Sequence, residues 1–362
     1  MDKNYKYIHI MYAHDDKFIG PLIREFNENP DKYMLDDNLF ITPFPYVYEK
    51  LSAYSNVLLD ESKCNLYRKY HKRCTLIISH GMANFFQVLT TGKKIKSKIL
   101  YRYWGGSRTS HFKFEKPISL KVIYKYVKFR LFKHALESFA AIGITNTVDE
   151  IDLGRVSSEL KYYYLPYASR YEWLSKIYEA YRLKPEKKEK INVLLGHRGK
   201  SEGNHIELLK KLMQYNTYIN IYIPLSYGNK DYISEVKKYV SQLNDPCITV
   251  ISDFMKPEDY ARLLCKMDIG IFDGVTSYAL GNISMMLEFH KTIYLKENGV
   301  IAQAFRKENI PYKNIENIGR VDVDEFIACF PEGDFDDRNM KLMPVSKNSM
   351  EERWSRVFED FK

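Results

Sequence analysis

The stretch INVLLGHRGKSEGNHIELLKKL, Ile191 to Leu212, sets three glycines, an arginine and an Asn-His pair between a short apolar run and a run of helical spacing. Ile191–Leu195 has the length of a buried parallel strand, and Ile206, Leu209 and Met213 recur at three- and four-residue steps, so the stretch reads strand, turn, helix. Glycines let a chain turn tightly, and the unpaired N–H groups of a helix's first turn form an anion site. Gly196, Arg198, Gly199, Asn204 and His205 are therefore candidates to hold a phosphate. Their spacing fits neither G-x-G-x-x-G nor G-x-x-x-x-G-K-[ST], and a plain strand-to-helix turn is the competing reading.

Two more loops point to the same guest. In IPLSYGN a strand ends at Pro224, and Tyr227-Gly228 could pack on or beside a base. In DIGIFDGVTSYALGNISMML a strand runs to Phe272, and Gly281, Asn282, Ile283 and Ser284 open a helix whose first N–H groups could hold a pyrophosphate. An Asn/Ser-capped helix and nothing more is the alternative there. Together the three loops suggest a nucleotide diphosphate.

These loops need a frame. Short apolar runs alternate with helical stretches along the whole chain: YIHIMY, CTLIISHG, KILYRYWGG, AAIGITN and YYYLPY in the first half, and INVLL, YINIYIPL, CITVIS, DIGIFDG and KTIYLK in the second. Such alternation predicts α/β architecture with parallel, doubly wound sheets, in which ligands sit beyond the carboxyl ends of strands. The charged stretch AYRLKPEKKEK, Ala180–Lys190, reads as a helix end and linker. This predicts an N-terminal Rossmann-like domain over 1–180, a second over 191–340, and a final helix over 347–362 that packs back through Met350, Trp354, Val357, Phe358 and Phe361, with Ser349 at its cap. Two such domains and a terminal helix suggest the GT-B architecture, with an active site in the cleft.

The bulk properties agree with two well-packed domains: 362 residues, 45% of them apolar. Five scattered cysteines, Cys64, Cys74, Cys247, Cys265 and Cys329, show no metal-ligand spacing and read as reduced thiols of a cytoplasmic protein. No stretch approaches the roughly 20 apolar residues of a membrane span. The net charge of +9 is unevenly placed, because Thr91–Leu136 carries thirteen lysines and arginines against Glu115 alone. Within it KVIYKYVKFRLFKHAL interleaves Lys121, Lys125, Lys128 and Arg130 with Val122, Tyr126, Phe129 and Phe132 at helical steps. A basic amphipathic helix of this kind suits an anionic membrane surface, with nucleic acid as the rival partner and simple packing against the domain as the bland reading.

The set of short motifs resembles a known family. Gly196-x-x-Gly199 with His205-Ile206, Pro224-x-x-Tyr227, Tyr260-x-x-Leu263-Leu264, Asp268-x-Gly270-x-Phe272 and Gly281 resemble the TDP-N-acetylfucosamine:lipid II N-acetylfucosaminyltransferases of enterobacterial common antigen synthesis. Arg24 with Phe26-Asn27, His80-Gly81 and Trp104-Gly105 look like the same family's positions in the first half. The resemblance implies a GT-B, metal-independent glycosyltransferase that needs no cofactor. It implies transfer of a deoxyamino sugar from a TDP- or UDP-sugar to an undecaprenyl-diphosphate-linked glycan, in surface polysaccharide or O-antigen assembly at the inner face of the cytoplasmic membrane. The chain departs from the pattern in YAHDD after the first strand, in Arg198, and in Glu288, which has no glutamate partner seven residues on.

Without a DXD-type metal site, the charge on a leaving diphosphate falls to Arg198 and the Gly281 helix, with Lys200 behind them. An inverting reaction would also need a base for the acceptor hydroxyl, and His14, Asp15, Asp16 and His80 are the candidates. Asp15 and Asp16 equally suit helix caps, and His80 a cap for the turn after it. Trp104-Gly105 could stack on a sugar, or Trp104 could be a core residue. A basic nucleic-acid-binding protein and an inactive sugar-nucleotide-binding protein stand as alternatives.

Overall fold

The computed structural model describes residues 4–12, 16–62, 65–81, 85–103, 120–154, 156–165, 172–183, 189–331 and 347–362. The chain divides into two compact units, Met1–Arg170 with Pro344–Lys362, and Tyr171–Met343.

The first unit holds β1 (Tyr7–Met11), β2 (Asn38–Thr42), β3 (Val57–Leu59), β4 (Leu76–His80), β5 (Ile99–Arg102), β6 (Ala141–Ile144) and β7 (Lys161–Tyr164). They form one seven-stranded sheet in the order β3-β2-β1-β4-β5-β6-β7, and every pairing is parallel. A parallel strand covered on both faces must be apolar on both, and β1 and β4 are buried at every residue. Alternate side chains go to opposite faces, so Tyr7, Met11, Leu76, Ile78 and Leu100 share one core cluster. Ile8, Ile10, Ile77, Ile99 and Tyr101 share the other.

The C-terminal helix Lys347–Asp360 belongs to this unit: Met350, Trp354, Val357 and Phe358 complete the first of those clusters. The Tyr7 hydroxyl donates to the Phe358 carbonyl at 3.0 Å. The expected apolar face of that helix is thus the one it buries.

The second unit holds β8 (Ile191–Leu195), β9 (Ile219–Pro224), β10 (Ile248–Ile251), β11 (Ile269–Phe272), β12 (Thr292–Leu295) and β13 (Lys313–Asn314). Their order is β10-β9-β8-β11-β12-β13, again all parallel. The strand order reverses between β8 and β11, the place where open parallel sheets bind ligands. β2, β3 and β13 are strands that the apolar-run reading passed over; β3 and β13 are only three and two residues long, too short for a period to register.

The domain boundary differs from the expectation. The helix Glu172–Leu183 lies in the second unit, where it packs against the helices Pro257–Cys265 and Leu280–Glu288. Tyr178 stacks near Phe289 with ring centroids 5.9 Å apart, and the Lys291 ammonium sits 4.8 Å from the Tyr181 ring. The charged stretch Ala180–Lys190 therefore begins in the last turn of a helix inside that unit rather than separating the two.

The basic helix Leu120–Leu136 also differs from a single-striped helix. Phe132, Ala135 and Leu136 are buried in the unit's core, whereas Leu120, Ile123, Tyr124, Tyr126, Val127 and Leu131 are exposed. It has one apolar face in the core and a second in solvent. No described helix is long and apolar enough to cross a membrane. Cys74, Cys247 and Cys265 are buried free thiols and Cys329 an exposed one, while Cys64 lies outside the described residues.

Candidate functional site

The carboxyl ends of β8, β9, β11 and β12 carry the residues of the three loops. β8 ends at Gly196, whose φ of 71° places it in the left-handed region, and a Cβ there would lie 2.5 Å from His205 Nε2. Gly199 and Gly228 meet as an isolated parallel bridge between the loops after β8 and β9. The Gly199 N–H donates to the Tyr227 carbonyl at 2.9 Å and its carbonyl accepts from Asn229 N–H at 2.7 Å. These glycines are required by close approach of backbone to backbone and to His205.

That packing revises the expected phosphate cradle in the first loop. The N–H groups of Gly196, Gly199, Lys200, Gly203 and Asn204 all donate to backbone carbonyls. The N–H of His205 donates to the Tyr232 hydroxyl at 3.0 Å. Asn204 is left-handed, with φ 47°, and its side chain caps nothing. Six amides of this loop and its helix start are thus engaged in the local shape, which leaves an anion here mainly to side chains. Arg198 is the available one: its guanidinium donates to Glu202 at 2.7 Å and lies 5.6 Å from the Tyr278 ring.

The helix Leu280–Glu288 is the opposite case. Its cap is Ala279, left-handed at φ 59°, which brings no side chain to the first turn. Gly281 is exposed, and a Cβ on it would meet nothing within 4 Å. Asn282 does not cap the helix either; it donates to the Tyr260 hydroxyl at 2.6 Å. No side chain caps the first-turn amides and the space beside Gly281 is open, an arrangement that favours a negative guest. Ser284, part-buried in the next turn, is placed behind them.

Three aromatic residues and two neutral histidines line this end of the sheet. Tyr278 is buried, with its ring 4.3 Å from that of His197, edge to face. Tyr227 is about half exposed, its ring 6.3 Å from His197. Burial, helped by the neighbouring Arg198 charge, pushes the His197 pKa down to about 3. Burial alone brings His205 down to about 4. Both are neutral at pH 7, and the Tyr232 hydroxyl, accepting from the His205 backbone, is also hydrogen-bonded to His205 Nδ1 at 3.2 Å. The Tyr278 hydroxyl and His205 Nε2 are buried with no hydrogen-bond partner among the described residues. Pro224 is a buried residue at the end of β9, paired with Ile251.

Sequence reasoning missed Asp273 and Lys296. Asp273, buried directly after β11, accepts from Asn204 Nδ2 at 3.0 Å and pairs with Lys296 Nζ at 2.9 Å. One carboxylate thereby ties together the loops after β8, β11 and β12. The signal was available in IFDG, a lone acid at a strand's carboxyl end.

In the first unit His80 does end β4 as expected, but it has no exposed surface. Asn38 Nδ2 donates to the carbonyls of Tyr33 and Met34, both at 2.9 Å, which turns its Oδ1 toward His9 Nε2–H at 2.8 Å. His9 Nδ1 must then accept from His80 Nε2–H at 2.9 Å, leaving His80 Nδ1 toward the Arg102 guanidinium at 3.4 Å. Burial, the Arg102 charge and His9 hold the His80 pKa well below its usual value. Burial likewise brings His9 to about 3. Both nitrogens of His80 are engaged and it cannot readily take a proton, which corrects the expectation of an open histidine base.

Two further acids that the sequence reading passed over lie near the carboxyl ends of β5 and β6. Asp152 accepts from the Tyr103 hydroxyl at 2.5 Å, and Asp149 from the Thr145 N–H at 3.0 Å. Burial raises the Asp149 pKa to about 6. His14, Asp15, Trp104 and Gly105 lie outside the described residues. Asp16 opens the helix Asp16–Glu28. Lys121 and Lys125 lie on the basic helix, where Lys128 stands 5.2 Å over the Phe85 ring and Arg130 is exposed.

Comparison with known proteins places this architecture. Over its full length the chain is similar to a glycosyltransferase from Rickettsia africae, with TM-score 0.61 and 12% identity, covering 100% of this chain and 99% of that one. It is similar to Anabaena Alr3699/HepE, determined in complex with UDP, with TM-score 0.63 and 10% identity over 98% and 100% of the two chains. A UDP-forming trehalose-phosphate synthase from Burkholderia xenovorans gives TM-score 0.55 and 9% identity over 98% and 99%. At these identities the likeness shows the fold, two parallel α/β units of the GT-B kind. A family model described as 4-alpha-L-fucosyltransferase, glycosyl transferase group 56, matches residues 55–325. That match takes in β3 to β13 and every loop of the second unit described above, and so the chain belongs to glycosyl transferase group 56 and is a glycosyltransferase.

Proposed function

We propose that this enzyme transfers a deoxyamino sugar of the N-acetylfucosamine type from a TDP- or UDP-sugar to an undecaprenyl-diphosphate-linked glycan, as a step in surface polysaccharide or O-antigen assembly. The observation that carries the donor half is the uncapped helix Leu280–Glu288, with Gly281 open at its start and Arg198 against Tyr278. Alr3699/HepE, of the same fold, was determined with UDP, and the family's description names a fucosyl group.

In this reading the diphosphate sits on the first-turn amides of that helix. As the glycosidic bond breaks, charge grows on the leaving phosphate. The helix dipole and Arg198, exchanging Glu202 for the phosphate, stabilise it without a metal. Tyr227, half exposed beside His197, packs on the base. With His80 closed off, the acceptor hydroxyl's base falls to His14, Asp15 or Asp16, which follow β1 in sequence, and Trp104-Gly105 after β5 contacts the acceptor sugar. A lipid-linked acceptor places the enzyme as a peripheral protein on the inner face of the cytoplasmic membrane. Nucleic acid has no place in this reading.

A thermal-shift titration with TDP, UDP, GDP and ADP, each with and without Mg²⁺, tests it, because a ligand that binds only the folded state raises its stability. Stabilisation by TDP or UDP without metal is expected. Equal absence of shift with all four would sink the donor assignment, and binding without sugar transfer would make the protein an inactive sugar-nucleotide binder.

A further inference from the structure

The helix Leu120–Leu136 has two apolar faces. Phe132 and Leu136 satisfy the inner one; Phe132 meets Tyr101 edge to face at 5.8 Å. On the outer side Ile123, Tyr124, Val127 and Leu131 are 42%, 64%, 48% and 45% exposed. Their steps of one, three and four residues form a continuous stripe on a helix. A solvated helix face normally carries polar side chains, so a stripe of four large apolar residues needs a cover.

The charges around the stripe indicate what covers it. The seventeen residues of this helix include five lysines and arginines and no acid. The stripe's own Val127 and Leu131 line an open hollow of about 660 Å³ against Val156, together with Arg130, Lys133 and Glu137. Lys133 is half-buried there, and burial together with the nearby Arg130 charge lowers its pKa. The one acid of the hollow, Glu137, lies 2.9 Å from His134 and also acts on Lys133. An apolar stripe on a helix with five cations and no acid matches the acyl boundary and the phosphates of an anionic bilayer. A nucleic acid would leave the stripe uncovered, and a second copy of the helix would set cation against cation.

Resting on the lipid-linked acceptor reading above, we propose that this helix lies in the surface of an anionic bilayer, with Ile123, Tyr124, Val127 and Leu131 among the acyl chains and Arg130 and Lys133 at the level of the lipid phosphates. The stripe supplies depth and the cations supply preference for anionic lipid.

Flotation of the full chain with vesicles of phosphatidylcholine alone, or with 30% phosphatidylglycerol, tests this in the absence of donor and acceptor. The triple substitution Ile123→Ser/Val127→Ser/Leu131→Ser changes only exposed side chains, and binding to both vesicles is expected to fall at least tenfold. Arg130→Gln/Lys133→Gln is expected to lower binding to the anionic vesicles about 30-fold, the contribution of two cations near such a surface, and to leave the phosphatidylcholine arm unchanged. Stabilisation by TDP or UDP should be the same in all variants, so loss of nucleotide binding in the wild type would strike the donor reading and not this one. Wild-type protein that stays off both vesicles would overturn the proposal. So would vesicle binding that ignores the triple substitution, or a dimer in sedimentation that the triple substitution dissolves.

Discussion

The Gly199 carbonyl oxygen stands 2.2 Å from the point that a Cβ on Gly228 would occupy. A Cβ on Gly228, which also has φ 140°, would drive into the Gly199 backbone, and one on Gly199 would stand 2.1 Å from the Ile233 side chain. The loops after β8 and β9 are thereby one unit, and Tyr227 and Arg198 are carried on it. Gly228→Ala is expected to cost about 2 kcal/mol or more, a strained backbone plus a clash that only main-chain movement relieves. Denaturant unfolding would check it; an unchanged midpoint would mean that the bridge is not formed.

Gly281 should behave in the opposite way. With open space around it and a place in the first turn of a helix, Gly281→Ala should leave stability unchanged or raise it by up to about 1 kcal/mol. The methyl group would stand where the diphosphate approaches the amides, so KM for the donor should rise with little change in unfolding. An unchanged KM would move the phosphate elsewhere.

Arg198→Ala should weaken a nucleoside diphosphate about tenfold while sparing the nucleoside, since a charge-assisted hydrogen bond to phosphate contributes about 1.5–3 kcal/mol. Calorimetric titration with both ligands separates the two. Equal losses would place Arg198 at the base or ribose.

Stability should fall with acid from an unusual source. His9, His197 and His205 have folded-state pKa values of about 3, 3 and 4, lowered by burial below the ordinary 6.5. Between pH 6.5 and those values the unfolded chain binds protons that the folded chain refuses, so each costs about 1.4 kcal/mol per pH unit as pH falls. Asp149, raised to about 6, works the other way between its ordinary value and 6, because the folded state there holds the extra proton. Three histidines outweigh one aspartate, and the melting temperature should drop steadily from pH 6.5 to 5. A flat profile would show that these rings are solvated.

Trp354→Ala should destabilise the first unit selectively by about 3–5 kcal/mol, because the ring is fully buried against Phe26, Phe358 and the Arg102 guanidinium. Limited proteolysis should then cut within residues 1–165 before 189–331; cleavage of both at equal rates would count against the assignment of this helix.

Much of the fold was legible because parallel sheets buried on both faces demand continuous apolar runs. IHIM, LIIS, INVLL and IGIF announce central strands on composition alone. The edge strands β3 and β13 lack that signature, having little to bury. The open start of the helix Leu280–Glu288 was legible in its glycine and in the strand before it. The closing of the loop before the His205 helix was not: six amides there are used by Tyr227, Tyr232, Ile271 and the loop's own carbonyls, several of them brought in by neighbouring strands.

The local choices of the chain, then, were settled in the sequence: where strands and helices fall, and that the last helix needs a surface for Trp354 and Phe358. Which residues face each other was decided only by the tertiary structure. His80 reads as an available base until the sheet sets it between His9 and Arg102. The basic helix reads as one stripe until the core takes Phe132 and Leu136 and leaves Val127 and Leu131 outside. The reason is common to both: periodicity specifies which residues share a face, but burial and hydrogen-bond partners depend on residues distant in sequence that only the packed sheet brings within reach.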